Sequence, residues 1–292
     1  MKDDEKKWLI IKLLIVIIPG ILYWITSDDN FEKKVSFNVS MDAGVSSKKT
    51  DAQVESSKIA EEKNNPPPIV RPANNDNFLL AQKKYDEGTA ALNRKDYAAA
   101  VNFFSQAIEL NPNHSFAYHN RGLAYQLTQN HAQALSDVNK AIQLDPNFAL
   151  MYNTRGCVYR ALKNYEQALQ DFNKAIQLDP NYFQAYTNRA LCYGGAYQNF
   201  NQAISDCNRS IQINPNHVDA YAIRGICYYG LQNYNQAVSD LTTAIQFSAN
   251  LTDTINLATT YQFLGLSYQQ LGDNAKAQAN FGQAKILGYN GN

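Results

Sequence analysis

The chain is predicted to be all-α, a solenoid of about six stacked helical hairpins, and three observations predict it. Small residues return about every 34 residues between Tyr85 and Asn290: Gly88, Gly122, Gly156, Ala190, Gly225 and Gly265, then Ala100, Ala134, Ala168, Ala203, Ala237 and Ala277, then Ala107, Ala141, Ala175, Ser210, Ala244 and Ala284. Within a unit the recurring residues fall three and four apart, as in Tyr152, Gly156 and Tyr159 or Ala168, Phe172 and Ala175, which is helical spacing and not strand alternation. Proline closes four units, at Pro112, Pro146, Pro180 and Pro215, where it cannot continue a helix. A period of this length marks stacked supersecondary units, none able to bury its apolar face without neighbours.

The N-terminus reads Met-Lys-Asp-Asp-Glu-Lys-Lys, followed by an almost wholly apolar run from Trp8 to Thr26. At 1.5 Å per residue this run spans about 28 Å, enough for a hydrocarbon core of about 30 Å. Lys12 can snorkel to the interface, and Trp8, Tyr23 and Trp24 stand where an aromatic belt places them. Residues 1–26 therefore read as a cytoplasmic tip and an uncleaved transmembrane anchor spanning 8–26, preferred over a signal peptide because no small-x-small site follows Tyr23. Lys2, Lys6, Lys7 and Lys12 precede or enter the span, against Lys33 and Lys34 after it. The positive-inside rule then leaves the N-terminus cytoplasmic and the repeats outside, periplasmic in a bacterium.

Residues 27–77 are rich in Ser, Asn, Lys, Asp and Ala, with Asn-Asn-Pro-Pro-Pro at 64–68. They carry no sustained apolar period and read as a flexible linker with a reach near 40 Å.

The repeat domain is expected at 78–292, with units at 81–114, 115–148, 149–182, 183–217, 218–251 and 258–291. Lys163-Asn164 is a short polar break that fits a tight turn between the two helices of the third unit. The fourth unit gains one residue near Gly194-Gly195, which should weaken the end of its first helix. The fifth has Ala249 in place of its proline, and six extra residues, Thr252 to Leu257, precede the sixth. Thr252 or Asp253 could cap a longer first helix there. Units two to five carry Arg121, Arg155, Arg189 and Arg224 in the first helix together with Asp137, Asp171, Asp206 and Asp240 in the second; units one and six have neither. This joint appearance predicts a structural ion pair between the two helices of each hairpin.

The pattern Tyr-x-x-x-Gly-x-x-Tyr, as in Tyr118, Gly122 and Tyr125, followed by Ala, a large residue and Ala, and closed by Pro-Asn, resembles the tetratricopeptide repeat family over roughly residues 78–291. The resemblance implies a right-handed superhelix whose first helices line a concave surface that takes peptides or partner helices. Its inward slots fall here on Tyr85, Asn93, His119, Asn120, Leu123, Asn153, Thr154, Cys157, Arg160, Thr187, Asn188, Leu191, Ile226, Tyr229, Gln262 and Gln269. From these, His119, Asn120, Asn153, Thr154, Arg160, Asn188, Tyr229 and Gln262 are taken as candidate partner-binding residues. Asn120, Asn153 and Asn188 resemble an incomplete asparagine ladder, each offering a donor and an acceptor to a peptide main chain. The Lys, Asn and Arg that some family members use to grip a chaperone C-terminus have no counterpart, since those slots hold Tyr85, Thr89, Asn120, Leu150 and Thr154.

No catalytic constellation is legible. His114, His119, His131 and His217 are dispersed and lack metal-ligand spacing, and Ser136 and Ser205 have no neighbouring base. No cofactor is expected. Charge balances at 26 basic and 26 acidic residues, which leaves no basic stripe for nucleic acid. The slots of Cys157, Cys192 and Cys227 lie too far apart for disulfides; only a pair with Cys207 stays geometrically open, and free buried thiols are expected. The function expected is a membrane-anchored scaffold binding a protein or peptide, in envelope assembly or secretion, without enzymatic activity of its own. A signal-cleaved secreted interaction protein is the alternative, and a substrate-recruiting subunit of an enzyme complex a third. Phe281 and Ile286 in the last helix suggest self-association at the C-terminal end.

Overall fold

Twelve helices follow one another in the computed structural model, which describes residues 74–248 and 255–289. They pair as α1 (Asn74–Asn93) with α2 (Tyr97–Leu110), α3 (Ser115–Leu127) with α4 (His131–Leu144), and α5 (Ala149–Ala161) with α6 (Tyr165–Leu178). The remaining pairs are α7 (Phe183–Leu191) with α8 (Phe200–Ile213), α9 (Val218–Gly230) with α10 (Tyr234–Ser248), and α11 (Ile255–Gln270) with α12 (Asn274–Ile286). No strand occurs among the described residues. The expected span at 8–26 lies outside the described residues, as do most of the linker and the caps proposed at Thr252 or Asp253. Within the described residues no helix is long and apolar enough to cross a membrane.

The first helices α1, α3, α5, α7, α9 and α11 each touch the next first helix, while the second helices stand farther apart. A curved stack brings its elements closest on the inside of the curve, so the first helices form the inner wall of a superhelical solenoid. Each hairpin closes through the same turn. In the third, Lys163 takes φ 60°. Its neighbour Asn164 sends its backbone N–H back to the Tyr159 carbonyl at 2.8 Å. This is a Schellman closure, which favours glycine at the left-handed position. Lys95, Gln129, Gln198 and Gln232 hold the same conformation, and only the sixth hairpin uses glycine there, at Gly272. The side chains of Asp96, Asn199 and Asp273 then cap α2, α8 and α12 by accepting backbone N–H bonds.

Three local departures from the sequence reading have physical causes. Helix α1 starts at Asn74, ahead of the boundary placed at residue 78, with Asp76 favourably set in its first turn. The extra residue of the fourth unit does not fray its first helix. It is taken up as a π-helical turn at Cys192–Ala196, after which Asn199 closes on the Tyr193 carbonyl at 2.8 Å. Phe281 does not face the end of the array: its ring lies over Gly265 within the last hairpin, and Ile286, 76% exposed, is the apolar residue left open in α12.

Candidate functional site

The inner wall carries a relay of polar side chains below its surface. Asn120 donates through Nδ2 to the Tyr85 hydroxyl at 3.1 Å, which leaves its Oδ1 to accept from His119 Nδ1 at 2.9 Å. The other ring nitrogen, His119 Nε2, is then the acceptor for the Thr154 hydroxyl at 2.9 Å. The partners fix one neutral tautomer. Burial lowers the His119 pKa to about 4, in keeping with a ring that stays uncharged at neutral pH. Farther along, Asn188 Nδ2 donates to Asn153 Oδ1 at 3.0 Å, and Asn153 Nδ2 donates to the Tyr182 hydroxyl at 3.3 Å. Thr187 meets Ser210 at 2.8 Å and His217 at 3.1 Å.

Three of these bonds, Asn120 to Tyr85, Thr154 to His119 and Asn188 to Asn153, run from one first helix to the next, so five of the sequence-selected residues tie the array together. Asn120, Asn153 and Asn188 are each at most 1% exposed. The structure therefore places the three amides beneath the wall, engaged with tyrosines and with each other, and not in a row open to a peptide. Sequence spacing put them on the right helix face; it could not show that Tyr85 and Tyr182 reach over them.

The other three residues lie apart from that relay. Tyr229 is buried among Tyr234 and Phe263, and burial raises its hydroxyl to about 12. Gln262 on α11 is half-buried. Arg160 is 2% exposed at the C-terminal end of α5, and its buried guanidinium is hydrogen-bonded to the Cys157 thiol, with no carboxylate among the described residues beside it to pair with. One repeat earlier in the same slot, Gln126 is equally buried, and neither its Nε2 nor its Oε1 has a partner.

On the other side of the first helices sits a repeated brace. The guanidinium of Arg155 donates through Nε and Nη2 to both oxygens of Asp171, at 2.8 and 2.7 Å. Its Nη1 donates to Asn139 of the preceding hairpin at 2.7 Å, and the group lies 5.5 Å over the Tyr152 ring. Arg121 with Asp137, Arg189 with Asp206, and Arg224 with Asp240 repeat the fork, reaching back to Ser105, Asn173 and Asn208. Each arginine thus joins three helices from two hairpins. The reach to the previous hairpin was not foreseen, although Asn139, Asn173 and Asn208 recur at the repeat period and could have signalled it. Burial pushes the Asp206 carboxyl above its ordinary value even with Arg189 in place.

Among the described residues no group of His, Cys, Asp and Glu is arranged to hold a metal ion. Cys157, Cys192, Cys207 and Cys227 are free and buried, and burial raises all four thiols, Cys192 and Cys227 to about 12. Thiols held protonated in this way are poor nucleophiles.

Profiles described as tetratricopeptide repeat match residues 84–114, 115–148, 149–182 and 217–285, more than half of the chain. The chain belongs to the tetratricopeptide repeat family. Among solved structures of this repeat fold, PilW, described as a widely conserved type IV pilus biogenesis factor, superposes with a TM-score of 0.63 at 18% identity. The match covers 71% of this chain and 93% of PilW. PilF of Pseudomonas aeruginosa gives 0.64 at 19% identity, over 74% of this chain and 95% of PilF. At such identities the likeness is one of fold. Serine/threonine-protein phosphatase 5 of Rattus norvegicus is 38% identical over 63 residues, which are 22% of this chain and 13% of that protein. The match spans a small part of the phosphatase, so the shared feature is repeat sequence.

Proposed function

We propose that this tetratricopeptide repeat protein is a membrane-anchored scaffold that holds a protein or peptide on the inner wall of its array. The observation that carries the reading is the continuous wall of successive first helices, stiffened from behind by four arginine braces and from within by the His119 and Asn153 relays. Such a wall is a pre-formed surface, and a partner binding it has little ordering to supply. The relay residues hold the wall's shape, while the half-buried Gln262 offers a polar group along it. Binding, and not chemistry, suits residues whose thiols are buried and whose His119 and His217 rings are held neutral.

The apolar run from Trp8 to Thr26 would tether the array, and the lysines before it favour placing the repeats outside the cytoplasm. The fold likeness to PilW and PilF supports a place in envelope assembly or secretion. Ile286 on the last helix is the apolar contact available for self-association.

The test combines fractionation with cross-linking. The full chain should remain with membranes at high salt, keep its N-terminal residues, and cross-link to one partner through residues of α3, α5 and α7. A mature chain starting near residue 27 in the soluble fraction would establish the secreted alternative. Cross-links confined to the second helices would place the partner on the outer face and overturn the inner-wall reading.

A further inference from the structure

Three consecutive apolar side chains stand open at the start of α1, where Phe78, Leu79 and Leu80 are 55%, 62% and 43% exposed. Every residue from Asp76 to Leu80 is exposed and burial begins at Ala81, so this part of the helix overhangs the first hairpin. The patch is not an unfinished repeat face. The second hairpin meets the first through Phe116, Leu123 and Leu127, which pack with Tyr97 and Val101. One repeat earlier those slots hold Gln82, Thr89 and Asn93. Gln82 donates to Asp86 at 2.9 Å, and the Thr89 hydroxyl donates to the Tyr85 carbonyl at 3.0 Å. A face this polar gives a further hairpin, or the end of a second array, nothing apolar to stack on. Nor do the three side chains form a seam for a partner helix. Successive helical residues point about 100° apart, so they fan over about 200° of the helix. A helix laid in a groove presents apolar residues three and four apart on one side. A fluid apolar phase makes no such demand.

We propose that Phe78, Leu79 and Leu80 insert into the interface of the bilayer that holds residues 8–26, so that the N-terminal end of the array docks on the membrane and its later hairpins point away from it. The chain outside the described residues favours this occupant. It carries the apolar run from Trp8 to Thr26 and joins the array at Asn74, four residues before the patch. Residues 27–73 reach about 40 Å, which keeps the patch within range of the lipid. Tethering turns insertion into an intramolecular step, so three side chains suffice where a free protein needs a larger surface. The exposed Lys83, one turn beyond Leu80, can keep its ammonium at the headgroup level while its stem lies along the apolar layer. The driving force is apolar area, and Asp76 offsets Lys83, so an uncharged phosphatidylcholine bilayer is enough. This contact rests on the membrane-anchor reading and adds to it a fixed attitude of the array.

The experiment uses the full chain in phosphatidylcholine vesicles. The four native thiols are buried, so a cysteine introduced by Asn77→Cys takes an environment-sensitive fluorophore alone. Lipid spin-labelled near its headgroup should quench that fluorophore about twofold or more beyond one carried by Ser136→Cys on α4, because only a docked segment stays at the lipid. Replacing Phe78, Leu79 and Leu80 together by Ser should lower the docked-to-free ratio about tenfold or more, as burying three half-exposed apolar side chains contributes at least on that scale. Phe78→Leu should keep most of the quenching. The triple variant should melt within a few degrees of wild type, since the side chains it removes are already open to solvent. Equal quenching at positions 77 and 136, quenching at neither, or quenching that survives the triple substitution overturns the contact. So does a fluorophore at 77 that is equally shielded in detergent, which would put the chain's own linker or a second copy over the patch. A triple variant that melts well below wild type overturns it as well, by making the patch part of the core. A chain that fails to float with vesicles after a high-salt wash removes the anchor together with the contact, whereas one that floats unquenched removes the contact alone.

Discussion

At Gly156 a Cβ would stand 2.6 Å from a Phe172 ring carbon, and at Gly88 the same distance from Phe104. The small residue of the first helix is therefore the socket for the large residue of the second. The fourth hairpin confirms the complementarity by inverting it: Ala190 replaces glycine, and Cys207 replaces the large residue opposite. Volume is conserved across the pair while each position changes, as close packing requires. Gly156→Ala should cost about 1–3 kcal/mol through overpacking. Urea denaturation checks it, and a loss below about 0.5 kcal/mol would show that the Phe172 ring can simply turn away. Periodic glycines were legible in the sequence, but that their sockets accept Phe, Val or Leu according to the unit was visible only with both helices in place.

In hairpins two to five the helices are joined by the braces as well as by the apolar stripe. Asp171 is 7% exposed and Arg155 22%, which places this fork between the weak ion pairs of surfaces and the strongly coupled pairs of interiors. Arg155→Ala removes both bonds to Asp171 and the bond to Asn139, leaving a buried carboxylate unmatched. The expected loss is about 2–4 kcal/mol in folding free energy with little change in partner affinity, measured by denaturation beside a binding assay. A variant that folds as well as wild type but loses its partner would move the brace into the binding surface. The joint occurrence of Arg and Asp in four units announced an intra-hairpin pair. The third bond, to the preceding hairpin, needed the stacking geometry.

Across the whole molecule the devices are unevenly spread. Hairpins two to five carry the braces, while the first and sixth have Glu87 with Phe103 and Leu264 with Asn280 at those positions. In a stack whose units contact only their neighbours, stability follows the local interface terms. Backbone amides of α1, α2, α11 and α12 should accordingly exchange with solvent at lower opening free energies than those of α5 to α8, which hydrogen-exchange mass spectrometry can resolve. Uniform protection along the array would show that the braces add nothing to its cooperativity.

The sequence by itself determined the helical hairpin, its period, the family, and the face of each first helix that turns inward, because these follow from spacing along one chain. Only the tertiary structure decided which inward groups are buried and already bonded within the fold. Asn120 is bonded to Tyr85 and His119 and Asn153 to Asn188 and Tyr182, whereas Asn188 Oδ1 and both amide atoms of Gln126 stay buried without a partner. The physical reason is that a hydrogen bond needs two partners within about 3 Å, and here those partners come from adjacent repeats about 35 positions apart. No window on a single helix contains both.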